Sequence, residues 1–332
     1  MELVRERAQG DHTRVLSTAD VTPGDRVDAW HELVRSVCGP VDVATGTESF
    51  DGTIIQSSLG DVQVCLITAD EHSVSRSRRR VRLQDDTHIY VSTPLRGRLT
   101  VAQDEERIAV EAGDVVTFDS TRPYTLALPG GGRLVSVRLS HDLLGLNPRG
   151  TRTLTARPWP GDTGIGALAA TVLKALGHRL AELDDPERNH LANVVVELVT
   201  SLFAQRLHTL TDKSDSARQG MLLRIQSFAR NNLADTTLTP SVLARSHNVS
   251  LRYLQLLFAE QGTSPARWLR EQRLARCRAD LSDASLDHLT VAAIGARWGI
   301  GQASQVSRLF RQTFGVSPSV YRRTNRGHCA IA

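Results

Sequence analysis

Residues 288–323 read HLTVAAIGARWGIGQASQVSRLFRQTFGVSPSVYRR. Apolar residues fall at Val291, Ile294 and Trp298 and again at Ile300, Val306, Leu309 and Phe310, giving two short helical faces broken by the glycines at 299 and 301. The pattern predicts a helix-turn-helix. The outward positions of its second helix are Gln302, Ala303, Gln305, Arg308 and Arg311. They carry base-edge hydrogen-bonding groups or, for alanine, are small enough for close approach.

The pattern occurs once before, at 238–258 (LTPSVLARSHNVSLRYLQLLF), with Leu243 and Ala244 in a first helix, a turn at Asn248-Val249, and Leu254 and Phe258 inside a second. Downstream, Gly262, Ser264, Pro265 and Trp268 recur as Gly315, Ser317, Pro318 and Tyr321, all at an offset of 53. Between the units, 264–281 reads as one uninterrupted helix opened by Ser264-Pro265. If that helix holds the units about 34 Å apart, their second helices enter successive major grooves on one face of a duplex. The predicted base-reading residues are Arg252, Gln255 and Leu256 in the first unit and Gln302, Ala303, Gln305 and Arg308 in the second. Arg245, Arg267, Arg270 and Arg311 are predicted to hold phosphates, which position without specifying.

Two such units joined by a long helix, the second running into F-G-x-S-P-x-x-Y-R at 314–322, resemble the AraC/XylS transcription regulators. The motif is specific and the strong resemblance covers about a third of the chain. Ile300 stands where that family usually has Phe, and Val306 where it usually has an aromatic residue. Gly295 replaces a usual Ala in a helix interior, a cost of about 1 kcal/mol in helix propensity. These departures predict a looser second unit. The resemblance implies double-stranded DNA and RNA polymerase as partners, with activation as the commoner mode.

At 332 residues with 40% apolar content, the chain has material for two domains with cores of their own. No apolar run reaches the eighteen or so residues of a membrane span, and the charged start MELVRERAQGDHTR is no signal sequence. The expected location is the cytoplasm. Cys38, Cys65, Cys277 and Cys329 show no paired spacing and read as reduced thiols. The net charge of +4 is unevenly spread: from Arg218 onward there are 16 Arg and Lys against 6 Asp and Glu, +10, leaving −6 for the rest. The basic part is the helix-turn-helix part, as counterion release from phosphates would require.

The predicted fold is α+β: an N-terminal cupin-like β-barrel with flanking helices, then a C-terminal all-α domain. Residues 1–20 read as a loose lead-in, 21–210 as a sensing and dimerisation domain, 211–217 as a linker and 218–326 as the DNA-binding domain. A helix opens at Thr22-Pro23 with Val27, Trp30, Val34 and Val37 at helical spacing and ends at Gly39-Pro40. Over 41–140, strands are predicted at 53–58, 62–69, 87–92, 97–102, 115–118, 124–128 and 133–139. The segment GDVVTFDSTRPY, 113–124, resembles the second half of a cupin-type barrel, the usual sensor of the family. WHELV and LGDVQV before it resemble one sensor subfamily. Two helices follow, 165–183 with a stripe of Leu168, Val172, Leu176 and Leu180, and 186–208 with Leu191, Val194, Val195, Leu198, Leu202 and Phe203. The second stripe is wider than one packing partner needs and predicts a homodimer.

A cupin-like barrel can also be an enzyme, which needs a converging set of His and carboxylate metal ligands. His72 and His88 are far apart, and the late ligand position after Asp119 reads Ser-Thr-Arg-Pro-Tyr. No metal, cofactor or catalytic residue is predicted. The alternatives to a ligand-controlled regulator are a ligand-independent architectural DNA binder and a cupin-type enzyme. The run SRSRRRVR at 75–82 places Arg78, Arg80 and Arg82 on one face if it forms a strand. With Tyr90, Arg96, Arg122 and Tyr124 they are the candidate effector residues, suited to a carboxylate or aromatic small molecule.

Overall fold

The computed structural model describes residues 7–8, 13–46, 49–83, 87–144, 148–179, 183, 185–209 and 214–329. It divides into two compact units, Met1–Gly220 and Met221–Ala332.

In the first unit, β1 (Arg7–Ala8) and β2 (Thr13–Ser17) precede α1 (Arg26–Cys38). There follow β3 (Asp42–Thr45), β4 (Gly52–Leu59), β5 (Val62–Ala69), β6 (His72–Arg76), a helical turn α2 (Arg78–Val81) and β7 (His88–Arg96). Then come β8 (Leu99–Gln103), β9 (Glu106–Val110), β10 (Val116–Asp119), β11 (Tyr124–Leu128) and β12 (Gly132–Ser140). A short α3 (His141–Leu144) leads to α4 (Gly164–Arg179) and α5 (Asp185–Thr209). The strands make two antiparallel sheets, ordered β1-β2-β4-β5-β12-β7-β10 and β3-β6-β11-β8-β9.

Alternating residues of the two sheets turn inward and close one apolar core, in which Tyr90, Phe118 and Tyr124 pack ring to ring. Helix α1 lies against this core through Trp30, Leu33, Val34 and Val37 and stops at Gly39, whose φ of 76° suits glycine. The Trp30 ring sits 5.0 Å from Phe50, and any Cβ at residue 52 would meet both, so the β4 start must be Gly52. His72 packs edge-on to Trp30 and Phe50, and burial holds its pKa below the usual histidine value.

Several sequence expectations are corrected. The lead-in is partly a strand: β2 pairs with β4, and Thr13 reaches Ser57 at 3.0 Å. Residues 1–6 and 9–12 lie outside the described residues. The arginine run does not continue as a strand, because the Ser77 side chain accepts from the Arg80 N–H and caps α2. Arg78, Arg80 and Arg82 therefore share no strand face. On α4 the buried positions are Gly166, Ala169, Ala170, Leu173, Leu176 and Gly177; of the expected stripe Leu176 is buried, while Leu168 is 64% exposed. Gly177 selects this phase, since a Cβ there would overlap Val135 of β12. Leu180 lies outside the described residues.

Helix α5 buries Val195, Val199, Leu202, Phe203 and Leu207, and turns Val194 outward at 38% exposure. Two arginines fix its ends. Arg188 donates to Ser57 Oγ at 2.7 Å, and Arg206 donates to the carbonyls of Arg157 (2.9 Å) and Pro158 (2.8 Å) with its guanidinium over the Trp159 ring. Burial, with help from Arg157, lowers the Arg206 pKa to about 10.

The second unit is helical. Helix α6 (Ser214–Asn231) contains the division between units, so the linker expected at 211–217 is helical from Ser214; residues 211–213 lie outside the described residues. Then come α7 (Pro240–Ser246), α8 (Leu251–Ala259), α9 (Pro265–Ser282), α10 (Val291–Arg297), α11 (Ala303–Phe314) and α12 (Pro318–Cys329). Two cores form, one around Leu243, Leu254 and Phe258 and one around Ile294, Val306 and Phe310, and Trp298 packs on both.

The looser second unit predicted from Gly295 is not what the packing shows. Val306 and Ile300 are buried, and a Cβ on Gly295 would overlap Val306 Cγ2. The small residue on α10 is matched to the valine on α11. Gly295→Ala is therefore expected to lower the stability of this unit by about 1 kcal/mol or more, overpacking outweighing the better helix propensity. Urea unfolding of the full chain checks it; a stabilised variant would show that propensity governs the position.

Candidate nucleic-acid interface and sensor cleft

The two helix-turn-helix units are built with the same devices. Thr239 and Thr290 cap α7 and α10, accepting from the N–H groups of Val242 and Ala293. Each helix ends with the next residue but one in the left-handed region, Asn248 at φ 53° and Gly299 at φ 65°. The following N–H returns to the helix: Val249 to Ala244 O at 3.0 Å and Ile300 to Gly295 O at 2.9 Å. Ring pairs repeat as well. Phe258 and Trp268 lie 5.6 Å apart at 64°, Phe310 and Tyr321 5.6 Å apart at 63°. The second helices differ, α8 having 9 residues and α11 having 12.

Helix α9, 18 residues or about 27 Å long, carries both units. Arg273 donates from it to the carbonyls of Leu233, Asp235 and Leu238 ahead of the first unit, and burial lowers its pKa. Asp280 accepts from Trp298 Nε1 at 2.8 Å and lies 3.6 Å from Arg297 of the second unit. These side chains make the two helix-turn-helix units one body. Neither Arg273 nor Asp280 was singled out from sequence, because nothing in helical periodicity marks a brace.

Opposite the cores, Arg252, Gln255 and Leu256 of α8 are exposed, as are Gln302, Ala303, Gln305 and Arg308 around the start of α11. Gln302 is the N-cap residue of α11, and Gln302, Gln305 and Arg308 line one shallow surface depression with Ser304. Arg308 forms no ion pair among the described residues. Its neighbour Leu309 is half-buried rather than buried, whereas Phe310 is fully buried and anchors the helix. Arg245, Arg270 and Arg311 are exposed, and Arg270 borders a groove between the units that also contains Leu309. Arg267 pairs with Glu271 at 2.8 Å along α9.

In the first unit, an open cleft of about 660 Å³ lies where β6, β8 and β11 end. It brings together Arg78, Arg122 and Tyr124 of the candidate effector residues and adds Arg76, Asp104 and Arg152, which sequence reasoning did not pick. Alternation along β6 carried a signal for Arg76, since Val74 and Arg76 both point inward and are buried. The remaining candidates are elsewhere. Arg80 pairs with Asp42 at 2.5 Å, which lowers the Asp42 pKa and raises that of Arg80. Arg82 follows α2, Tyr90 stacks on Phe118 in the core, and Arg96 borders a separate cavity with Lys174 and His178.

Behind the cleft is a buried polar cluster. Asp119 accepts from Thr151 Oγ1 (2.5 Å), from Thr121 N and Oγ1 (2.9 and 2.7 Å) and from His141 Nε2 (3.1 Å). Burial alone would raise its pKa, but the His141 and threonine bonds outweigh that and hold it at about 2. Arg122 joins this cluster to the cleft: it pairs with Asp104, lies 3.5 Å from Asp119 and donates to Thr155 Oγ1 at 2.6 Å.

Among the described residues no group of three or more His, Cys, Asp or Glu is placed to hold a metal, and no helix is long and apolar enough to cross a membrane. Cys65 and Cys277 are buried free thiols whose pKa burial pushes up to about 12.

Comparison with known proteins agrees with this layout. A model of the AraC-binding-like domain matches residues 30–204, and a model of a helix-turn-helix domain matches residues 243–324. The transcriptional activator NphR of Rhodococcus sp is 29% identical over 312 residues, 93% of this chain and 92% of its own length. A probable thc operon regulatory protein of Rhodococcus erythropolis is 32% identical over 171 residues, 49% of this chain and 51% of that protein. The crystal structure of the AraC-like transcriptional activator CuxR superposes with a TM-score of 0.52 at 18% identity, covering 79% of this chain and 93% of that one, a likeness of fold.

Proposed function

The chain belongs to the AraC-type DNA-binding transcription regulators, with an N-terminal sensor domain, and on that premise we propose that it is an activator. It binds a site of roughly 17 to 20 base pairs per protomer, the span of two successive major grooves. The observation that carries this reading is the twin presentation: two helix-turn-helix units with the same caps and ring pairs, each exposing arginine and glutamine on a second helix. Arg252, Gln255, Leu256, Gln302, Ala303, Gln305 and Arg308 read bases, while Arg245, Arg270 and Arg311 hold phosphates. Arg267 joins the phosphate set at the expense of its pairing with Glu271. Activation follows the description of the relative NphR. RNA polymerase is the partner the resemblance implies, and the cytoplasm is the site of action.

The sensor domain binds a small-molecule effector without transforming it. Footprinting and titration on a selected site and on scrambled DNA at physiological salt test the reading as a whole. Protection across two grooves, with affinity for the site at least a thousandfold above scrambled DNA, is expected; equal affinity for both would remove it.

The full-length protein is a homodimer through α5. Its buried face is occupied within the protomer, and Val194, with the half-buried Leu191 and Leu198, is the apolar surface left over. Leu198→Glu is expected to convert dimer to monomer in sedimentation, because a carboxylate in an apolar contact is left unpaired. An unchanged dimer, or a monomeric wild type, contradicts the assignment.

A further inference from the structure

We propose that Leu256 of α8 is a specificity determinant that reads the C5 methyl of one thymine in the major groove, at the place in its half-site where Arg308 of α11 reads a guanine in the other. The proposal rests on the DNA-reading function above and names the base chemistry that distinguishes the two halves of the site.

The two second helices can be laid on each other by their own anchors. The N-cap residues Ser250 and Gln302, the buried Leu254 and Val306, and the buried Phe258 and Phe310 all stand at an offset of 52. The caps of the first helices, Thr239 and Thr290, stand at an offset of 51, and Ser264 and Ser317 downstream at 53. The second unit is thus one residue longer on each side of its second helix, which hides the match in plain sequence spacing. On this register Arg252 matches Ser304, Gln255 matches Ser307 and Leu256 matches Arg308. Arg252, Gln255 and Leu256 are all exposed and, at i, i+3 and i+4, share one face of α8.

Leu256 is 48% exposed. The core beneath α8 is made by Leu254, Leu257 and Phe258 with Tyr253 against it, and Leu256 stands outside that cluster. A leucine side chain offers no hydrogen bond to a base edge or a phosphate. The apolar group that a base pair presents in the major groove is the thymine methyl. Contact removes apolar surface of both partners from water, which for one methyl-sized group amounts to about fourfold in affinity. Arg252 and Gln255, within one turn, supply the hydrogen bonds that hold the helix over neighbouring bases. A protein partner on this face would have to leave when the helix enters the groove. At the matching place on α11, the Arg308 guanidinium fits guanine O6 and N7.

The test uses the full-length chain and an operator that it selects from random DNA, at physiological salt. Each thymine of the selected site is replaced singly by deoxyuridine, which removes the methyl and nothing else. Affinity is measured for wild type, Leu256→Ala and Arg308→Ala. One replacement is expected to weaken wild type about fourfold and to change Leu256→Ala by no more than about 1.5-fold. That thymine should lie in the half-site opposite the one whose guanine preference Arg308→Ala relaxes. Selection with Leu256→Arg should exchange thymine for guanine at the same position and leave the other half unchanged. Because position 256 is exposed, Leu256→Ala should keep its affinity for scrambled DNA within about twofold of wild type, which checks its fold.

Deoxyuridine replacements that all leave affinity unchanged, or whose effects all persist in Leu256→Ala, would overturn the proposal while leaving sequence-specific binding intact. So would selection of the wild-type site by Leu256→Arg. Selection that returns no site at all would remove the DNA-reading function and the proposal with it.

Discussion

Replacing Asp119 by alanine is expected to destabilise the N-terminal unit by about 3–5 kcal/mol, the range for removing one partner from a buried charged network. The carboxylate has no solvent exposure and accepts from the buried Thr151 and His141 and from the half-buried Thr121, bonds that the substitution removes. Its main chain is also held, with Gln103 accepting from the Asp119 N–H at 3.0 Å and donating to its carbonyl at 2.8 Å. That clamp survives the substitution, so the loss reads on the side chain alone. Asp119→Asn keeps the shape and one acceptor and should cost less, about 2 kcal/mol.

The same residue sets a pH dependence. With its folded pKa held at about 2, below the ordinary carboxylate value near 3.8, Asp119 contributes stability that is complete above the ordinary value. The contribution is lost as pH falls toward the folded value, and its size is about 2 kcal/mol. Urea unfolding of wild type and Asp119→Asn at pH 7 and pH 2.5 should show the gap between them narrowing in acid. An equal gap at both pH values would contradict the electrostatic account.

The second large effect separates residues that read sequence from residues that attract. Arg308 extends from a helix whose other side is fixed by Phe310 and Val306, and no acid among the described residues holds its guanidinium. Arg308→Ala is expected to cost about 1–3 kcal/mol on the specific site and to relax preference at one base pair, with affinity for scrambled DNA nearly intact. Arg270→Ala, on the connecting helix, should weaken all sequences about equally and lower the salt slope by about one. Titration of both variants on operator and scrambled duplexes over a salt series checks this. Equal losses on both duplexes for Arg308→Ala would remove it from the base-reading set.

The helical unit was more legible than the sheets, for a physical reason. Its helices expose one face and bury another, so Val291, Ile294, Val306 and Phe310 announce their period, and the Ser-Pro starts and Asn or Gly stops punctuate it. Interior strands read equally well: 62–69 and 124–128 have the expected ends. The strands that sequence missed are short or polar. β3 has four residues and edges its sheet, β9 (ERIAV) edges the same sheet, and β6 breaks its apolar alternation with the buried Arg76. The phase of α4 was misread because close approach at Gly177, not leucine burial, decides which side meets β12. The cleft at the ends of β6, β8 and β11 was half legible. Tyr124 and Arg122 lie in the recognised barrel segment, but Arg152 comes from a stretch without periodicity, and Arg80 was removed by a partner 38 residues earlier.

If the two second helices read DNA as one rigid body on α9, binding requires one fixed spacing between their grooves. Affinity should be measured for a selected operator and for the same operator with 5 or 10 base pairs inserted between its two protected grooves. Both insertions are expected to lower affinity at least tenfold, because neither the turned nor the lengthened spacing fits units fixed by Arg273, Asp280 and Trp298. Unchanged affinity with either insertion would contradict the account, showing that only one unit reads sequence or that the two move independently.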